Sequence, residues 1–104
     1  MPITIFDAPT VPYPHATSAA AVMLTSAFER LASDHGISQR RLAAHLGYAN
    51  SVPLSHMASG RVPVPIDRAL DLAEATGMCP KEFLLAVLDQ RHPEIPFKTI
   101  FALE

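Results

Sequence analysis

The sequence predicts an all-α fold of five short helices flanked by two extended arms. The prediction depends on three features of the 104 residues. Apolar residues recur at i, i+3 and i+4 along most of the chain, which is the spacing of a helix with one buried face. Each of the four glycines follows such a stretch, where a helix commonly ends. The connections between the stretches are short, as in a compact helical domain.

Composition limits the classes of protein to which the chain can belong. Its 49% hydrophobic and 17% charged residues are typical of a packed domain and exclude disorder throughout. The length provides for one domain with one core. Cys79 is the single cysteine, which excludes an internal disulfide and a multi-thiolate metal site. The sequence has neither a run of about 18 apolar residues nor a basic segment before its first apolar residues, so we expect a cytoplasmic protein.

Residues 1–16 form the first predicted arm. Prolines at positions 2, 9, 12 and 14 fix φ and disfavour helix in the residues that precede them. Within the arm, residues 3–6 (Ile-Thr-Ile-Phe) have the composition of a strand. We therefore expect an extended, proline-rich arm that can form β-structure.

The helical domain is predicted to span residues 17–92. Its first helix can be capped by Thr17 or Ser18, and Gly36 suits the left-handed position that ends it. The second helix is expected over about residues 38–46 and the third over about residues 51–59. The residues that begin and end these two helices are Ser38, Gly47, Asn50 or Ser51, and Gly60.

The fourth and fifth helices complete the predicted domain. Residues 62–65 (Val-Pro-Val-Pro) form a stiff, extended connection. A fourth helix then runs from Ile66 to Thr76, and Gly77 ends it. Cys79 and Pro80 open the fifth helix.

Residues 93–104 form the second predicted arm, and their composition favours β-structure. Isolated two-stranded ribbons are marginally stable in water, so both arms need a surface against which to pack. One hypothesis is that the arms pair with each other or with a second copy of the chain, giving a homodimer. The alternative is that both arms fold back on their own bundle.

Charge is distributed unevenly along the chain. The net charge is −2, yet between His35 and Ile66 there are three arginines, two further histidines and no acidic residue. Seven of the ten carboxylates follow that stretch. Such asymmetry is typical of a protein with one face suited to an anion, although three arginines can also form an ordinary solvated surface.

Residues 38–61 have the pattern of a helix-turn-helix. A short helix is followed by a glycine turn and by a second short helix that ends at another glycine. Ala43 is small where the two helices would cross, and Gly47 permits a sharp turn. Leu54 and Met57 would fix the second helix to the core, which leaves its opposite face free for a groove of DNA.

This stretch resembles the lambda-repressor/Cro-like helix-turn-helix family, the XRE-type regulators of bacteria and phages. The resemblance covers about residues 22–88 and implies a lambda-repressor-like DNA-binding bundle. The residues that carry it are Ser38, Gln39, Leu42, Ala43, Leu46, Gly47, Tyr48, Leu54, Ser55, Gly60, Arg61, Pro65, Ile66, Leu70, Ala73 and Gly77.

The resemblance also implies roles for individual residues. Gln39 matches a glutamine that touches a phosphate and braces the recognition helix, and Arg61 matches a basic residue that reaches the DNA backbone. Arg40 and Arg41 can add charge near the same backbone. Candidate contacts to the bases lie in the turn and on the recognition helix: Asn50, Ser51, Val52, Ser55 and His56.

The sequence departs from the family pattern at three points. Ala58 stands near a position where the family often has glutamate, and Pro53 reduces the set of exposed recognition side chains. No arginine or lysine lies between residues 42 and 60, so bidentate guanine readout from the recognition helix is excluded. We expect modest base contacts, supplemented by readout of DNA shape.

The histidines and the cysteine do not indicate a catalytic or metal site. None of the five histidines forms an H-x-x-x-H or H-E-x-x-H spacing, and Cys79 has no partner in a recognisable motif. The glycines end helices rather than surrounding a phosphate, and no Ser-His-Asp arrangement has motif context. We expect no enzymatic activity, no metal and no cofactor.

The pattern favours a sequence-specific, DNA-binding transcriptional regulator. The expected protein is a repressor that binds a palindromic operator as a homodimer, with its recognition helix in the major groove of double-stranded DNA. It would be nucleoid-associated when bound. The alternative is an antitoxin or protein-interaction module that retains the fold and binds a protein through its terminal arms. A third reading, a helix-turn-helix that has lost DNA binding, is motivated by the net charge of −2.

Overall fold

A computed structural model describes residues 13–101 of the chain, and helices make up most of that range. The helices are α1 (Ala19–His35), α2 (Gln39–His45), α3 (Val52–Ser59), α4 (Ile66–Thr76), α5 (Pro80–Arg91) and α6 (Phe97–Ile100). No strand occurs between residues 13 and 101, which confirms the predicted all-α fold. The strand expected at residues 3–6 lies outside the described residues, as do residues 102–104.

The core lies between α1, α4 and α5, and α3 packs against α1. The largest fully buried side chains come from four helices and from the α3–α4 connection: Leu24, Leu54, Val64, Leu72, Phe83 and Val87. Burial of one such side chain contributes roughly 1.5–3 kcal/mol. The apolar stripe of each of these helices thus holds it in the bundle.

Side-chain or glycine caps occur at four of the six ends of the first three helices. The Ser18 hydroxyl accepts a hydrogen bond from the Ala21 amide at 3.3 Å, and α1 ends at Gly36 in the left-handed region (φ 65°). Ser38 accepts from the Arg41 amide at 3.1 Å at the start of α2. Ser51 is the N-cap residue of α3 but makes no capping bond.

The first predicted arm is wrong over the part that the structure describes. Residues 13–17 form a turn rather than an extended segment, with the Ala16 amide donating to the Tyr13 carbonyl at 3.1 Å. The His15 amide donates to the Gly60 carbonyl at 2.8 Å, which joins this turn to the end of α3. Prolines restrict φ but are also favoured in turns, so their number did not distinguish the two structures.

The second predicted arm is also wrong over Phe97–Ile100, which form the single-turn helix α6. The Ile100 amide donates to the Pro96 carbonyl at 3.0 Å, and the Phe101 amide donates to the Phe97 carbonyl at 2.9 Å. Because residues 13–101 contain no strand to pair with, these backbone groups bond locally. Helix α6 contacts α5, so this part of the arm packs on its own bundle.

Two consecutive side chains of α5 bond the connection between α3 and α4. Val64 is fully buried there; its amide donates to Gln90 Oε1 at 2.8 Å, and its carbonyl accepts from Arg91 Nε at 2.7 Å. Gln90 Nε2 also donates to the Ser18 hydroxyl at 2.9 Å. Through these bonds α5 fixes the segment that follows α3.

Candidate nucleic-acid interface

Helices α2 and α3 form a helix-turn-helix unit with one buried and one exposed side. Leu42 and Ala43 of α2 are buried, as are Leu54 and Met57 of α3. Gly47 has a φ of 88° in the turn between them, a value that favours glycine. With its buried side held by the core, α3 presents its other side to solvent.

Contacts outside α2 also hold α3 in place. The Thr25 hydroxyl of α1 donates to the Ala58 carbonyl at 3.0 Å. At the end of the helix, a Cβ on Gly60 would lie 2.3 Å from the backbone nitrogen and Cα of Ala16. The turn before α1 therefore approaches α3 more closely than any residue with a side chain would allow.

All nine predicted DNA-contact residues are exposed or half-buried. The half-buried ones are Ser51 and His56; the exposed ones are Gln39, Arg40, Arg41, Asn50, Val52, Ser55 and Arg61. None of them is sequestered in the core, so each remains accessible to a ligand at this surface.

The structure brings Gln39 and Ser55 together in one cleft. This cleft, of about 510 Å³, lies between α1, α2 and α3, and Ser59 also lines it. Glu29 of α1 lines it too and adds one negative charge to a surface that combines hydroxyl and amide groups with apolar side chains such as Phe28. The cleft is therefore suited to hydrogen bonding more than to strong attraction of an anion.

His56 and Arg61 form a second group at the other end of α3. Arg61 Nη1 lies 3.1 Å from His56 Nε2. Because a guanidinium only donates hydrogen bonds, Nε2 must be the acceptor in this contact. The Arg61 guanidinium also lies 4.9 Å from the centroid of the Tyr13 ring, within the range of a cation–π interaction.

Asn50 has a structural role in the turn. Its Oδ1 accepts a hydrogen bond from the Val52 amide at 2.9 Å, which satisfies one free N–H group at the start of α3. Bidentate pairing with adenine would use both Oδ1 and Nδ2 of an asparagine. In this structure the oxygen already accepts the hydrogen bond from Val52, so Asn50 supports the start of α3.

The three arginines of the interface are not neutralised by carboxylates of the described chain. The ion pairs within residues 13–101 are Arg68 with Asp71 and His92 with Glu94. Arg40 and Arg41 are exposed on α2, and Arg61 is exposed after the end of α3. Positive charge thus remains available at both places.

An apolar groove borders α3 on one side. It has a volume of about 330 Å³ and is lined by Tyr48, Val52, Pro53, His56, Met57, Val62, Pro63 and Pro65. Ile66 and Leu70, one turn apart on α4, are 45% and 53% exposed. Most of these side chains are apolar, but the groove also includes His56, whose imidazole contacts Arg61.

Sequence reasoning missed several residues that shape the interface. Tyr13 contacts Arg61, Thr25 bonds to α3, and Gln90 and Arg91 hold the following connection. Each of these contacts joins residues far apart in the chain. The local sequence pattern does not reveal them, because nothing in the residues around Gln90 shows that its side chain is buried.

Comparison of the chain with protein-family models, with curated proteins and with solved structures finds no match. None of the helices within residues 13–101 is long and apolar enough to cross a membrane. Across the same part of the chain, no three His, Cys, Asp or Glu side chains come together as a metal site.

Proposed function

We propose that this protein is a sequence-specific, DNA-binding transcriptional regulator. The observation that carries the proposal is the α2–turn–α3 unit, whose second helix is fixed to the core by Leu54 and Met57 and is exposed on its other side. A helix of this kind fits the major groove of B-DNA. The resemblance of residues 38–61 to the lambda-repressor/Cro-like family supports the same function.

The charges around α3 support binding to a phosphate backbone. Arg40, Arg41 and Arg61 are exposed and make no ion pair with residues 13–101. Arginine contacts to phosphate provide affinity and set the register of the protein on the duplex, while base contacts provide specificity. Ser55, His56 and Val52 are the side chains of α3 that we assign to base edges.

The proposed protein is a repressor that acts as a homodimer on a palindromic operator. Two recognition helices about 34 Å apart would enter successive major grooves on one side of the duplex. Because α3 has no arginine or lysine, each half-site would be read weakly. Binding by two copies, together with DNA shape, compensates for the modest contacts of one copy.

The first experiment is a fluorescence-anisotropy titration with duplex DNA from upstream of the protein's own gene. A random duplex of equal length measures non-specific binding. We expect tighter binding to the upstream fragment and a loss of about tenfold or more in the Gln39→Ala/Ser55→Ala variant, which removes from the cleft its two predicted DNA-contact side chains.

The matched control is Lys81→Ala, which removes an exposed side chain from α5 instead. This variant should bind as the unmodified protein does. Equal affinity of the unmodified protein for the upstream and random duplexes would contradict sequence-specific regulation.

A protein-interaction module, such as an antitoxin, is the second candidate. It is favoured by the apolar groove beside α3 and by exposed Ile66 and Leu70 on α4. Contiguous exposed apolar surface commonly marks a site for another protein. Absence of DNA binding at micromolar protein concentration would favour this candidate. Isolation of the natural protein with no partner bound to it would count against it.

A further inference from the structure

Arg61 is held in an unusual way for an exposed arginine. Its guanidinium contacts His56 Nε2 at 3.1 Å and lies 4.9 Å from the centre of the Tyr13 ring. No carboxylate within residues 13–101 pairs with it. A carboxylate partner would have cancelled the charge, whereas an aromatic face and an imidazole nitrogen that accepts a hydrogen bond restrict the side chain and leave its charge intact.

Backbone hydrogen bonds determine where the Tyr13 ring lies. The His15 amide donates to the Gly60 carbonyl at 2.8 Å, and the Ala16 amide donates to the Tyr13 carbonyl at 3.1 Å. The close approach at Gly60 places this turn directly beside the end of α3, one residue before Arg61. Since these bonds involve no side chain of residue 13, substitutions there can remove the ring while the turn persists.

A restrained, unneutralised arginine is suited to an anion that arrives from solution. A free arginine side chain has many rotamers and must lose this freedom when it binds a phosphate. Contact with Tyr13 and His56 limits the rotamers of Arg61 before any ligand is present. Preorganisation of this kind increases affinity because less freedom remains to be lost on binding.

We propose that Tyr13 is a positioning residue that orients Arg61 for contact with a DNA phosphate, so that the turn before α1 belongs to the DNA interface. The inference rests on the proposed function, and it adds a residue outside the helix-turn-helix to the interface. Tyr13 acts through Arg61 and contributes no charge of its own to the contact.

A double-mutant cycle tests this coupling. The variants are Tyr13→Ala, Arg61→Ala and the combination, and affinity is measured by anisotropy over a series of salt concentrations. A random-sequence duplex serves as the probe beside the upstream fragment, because a phosphate contact needs no particular sequence. The role of Tyr13 can therefore be measured even if the protein binds all DNA sequences equally.

We expect Tyr13→Ala to weaken binding by about two- to fivefold per protomer, the effect of losing an exposed cation–π contact. Arg61→Ala should weaken binding further and reduce the slope of log K against log salt by about 0.9 per protomer. Adding Tyr13→Ala to Arg61→Ala should change nothing more. Tyr13→Phe, which keeps the ring, should restore the affinity of the unmodified protein.

Three results would overturn the proposal. The first is a Tyr13→Ala variant that binds as tightly as the unmodified protein while Arg61→Ala weakens binding. The second is an equal effect of Tyr13→Ala with and without Arg61, which would show that the ring acts independently. The third is a protein that binds neither duplex, a result that would also contradict the proposed function. Equally tight binding to both duplexes would contradict sequence-specific regulation but would leave the role of Tyr13 testable.

Discussion

At the scale of single residues, Gln90 does more for this fold than its position in the sequence suggests. It is 8% exposed, accepts a hydrogen bond from the Val64 amide and donates one to the Ser18 hydroxyl. These bonds connect the end of α5 to the α3–α4 connection and to the start of α1. A buried amide group that satisfies two partners is costly to remove, because both partners lose their hydrogen bonds together.

We expect Gln90→Leu to lower the free energy of unfolding by about 1–3 kcal/mol, since the buried Val64 amide would lose its partner. Leucine preserves most of the volume, so the loss reports on hydrogen bonding rather than on a cavity. Chemical denaturation followed by circular dichroism measures it.

The matched control for this prediction is Gln39→Leu, the same chemical change at an exposed position of α2. Its effect should remain within about 0.5 kcal/mol. Equal destabilisation by the two substitutions would show that the bonds of Gln90 contribute little.

At the scale of elements, the residues that cap and end helices predicted α1 to α5 well and did not predict α6. Ser18, Gly36, Ser38 and Gly60 lie at helix ends in the structure, where side-chain oxygens or a left-handed backbone are required. These requirements are local, so a single sequence reveals them. Whether residues 97–100 pair as a strand or bond locally depends on a partner strand, which composition cannot supply.

The same limit applies to the candidate interface. Exposure of Ser55 followed from the periodicity that buries Leu54 and Met57, whereas Gln39 and Arg61 were singled out by the resemblance. The contact of Tyr13 with Arg61 joins segments 48 residues apart and depends on the path of the chain before α1. Such contacts require the tertiary structure.

The contact between the turn at residues 13–17 and the end of α3 leads to a prediction about Gly60. A Cβ there would overlap the backbone of Ala16, and the φ of 82° is unfavourable for alanine. We expect Gly60→Ala to destabilise the protein by about 1–3 kcal/mol more than Gly47→Ala, because the overlap adds to the cost of positive φ. Thermal and chemical unfolding measure the difference.

Gly47→Ala is a close control because its φ is 88° and no atom lies within 4 Å of the added Cβ. Both variants carry the conformational cost, and only one carries the overlap. If the two variants lose equal stability, the turn at residues 13–17 can move away from Gly60 at no cost in free energy and does not stabilise α3.

At the scale of the whole molecule, charge separation matters more than net charge. The chain is −2 overall, yet the stretch from His35 to Ile66 has three arginines and no carboxylate, and α4 and α5 carry acidic residues. In the proposed complex the acidic residues of α4 and α5 would repel DNA phosphates, while the three arginines would attract them. A net charge of −2 is therefore compatible with the proposed binding to DNA.

The proposed dimer predicts a steep dependence on salt. Arg40, Arg41 and Arg61 from two protomers would neutralise six phosphates, so affinity should fall about 10³-fold between 50 and 200 mM salt. Anisotropy titrations at several salt concentrations measure the slope. A slope near zero would contradict a backbone contact by these arginines.

The amide of Val64 can also be used to follow local opening of the protein. Its neighbours Pro63 and Pro65 carry no amide hydrogen, so the Val64 amide is the single exchangeable backbone amide within residues 63–65. It is buried and donates to a side chain of α5 rather than to a helix of its own. In hydrogen–deuterium exchange this one signal therefore reports on separation of the end of α5 from the α3–α4 connection.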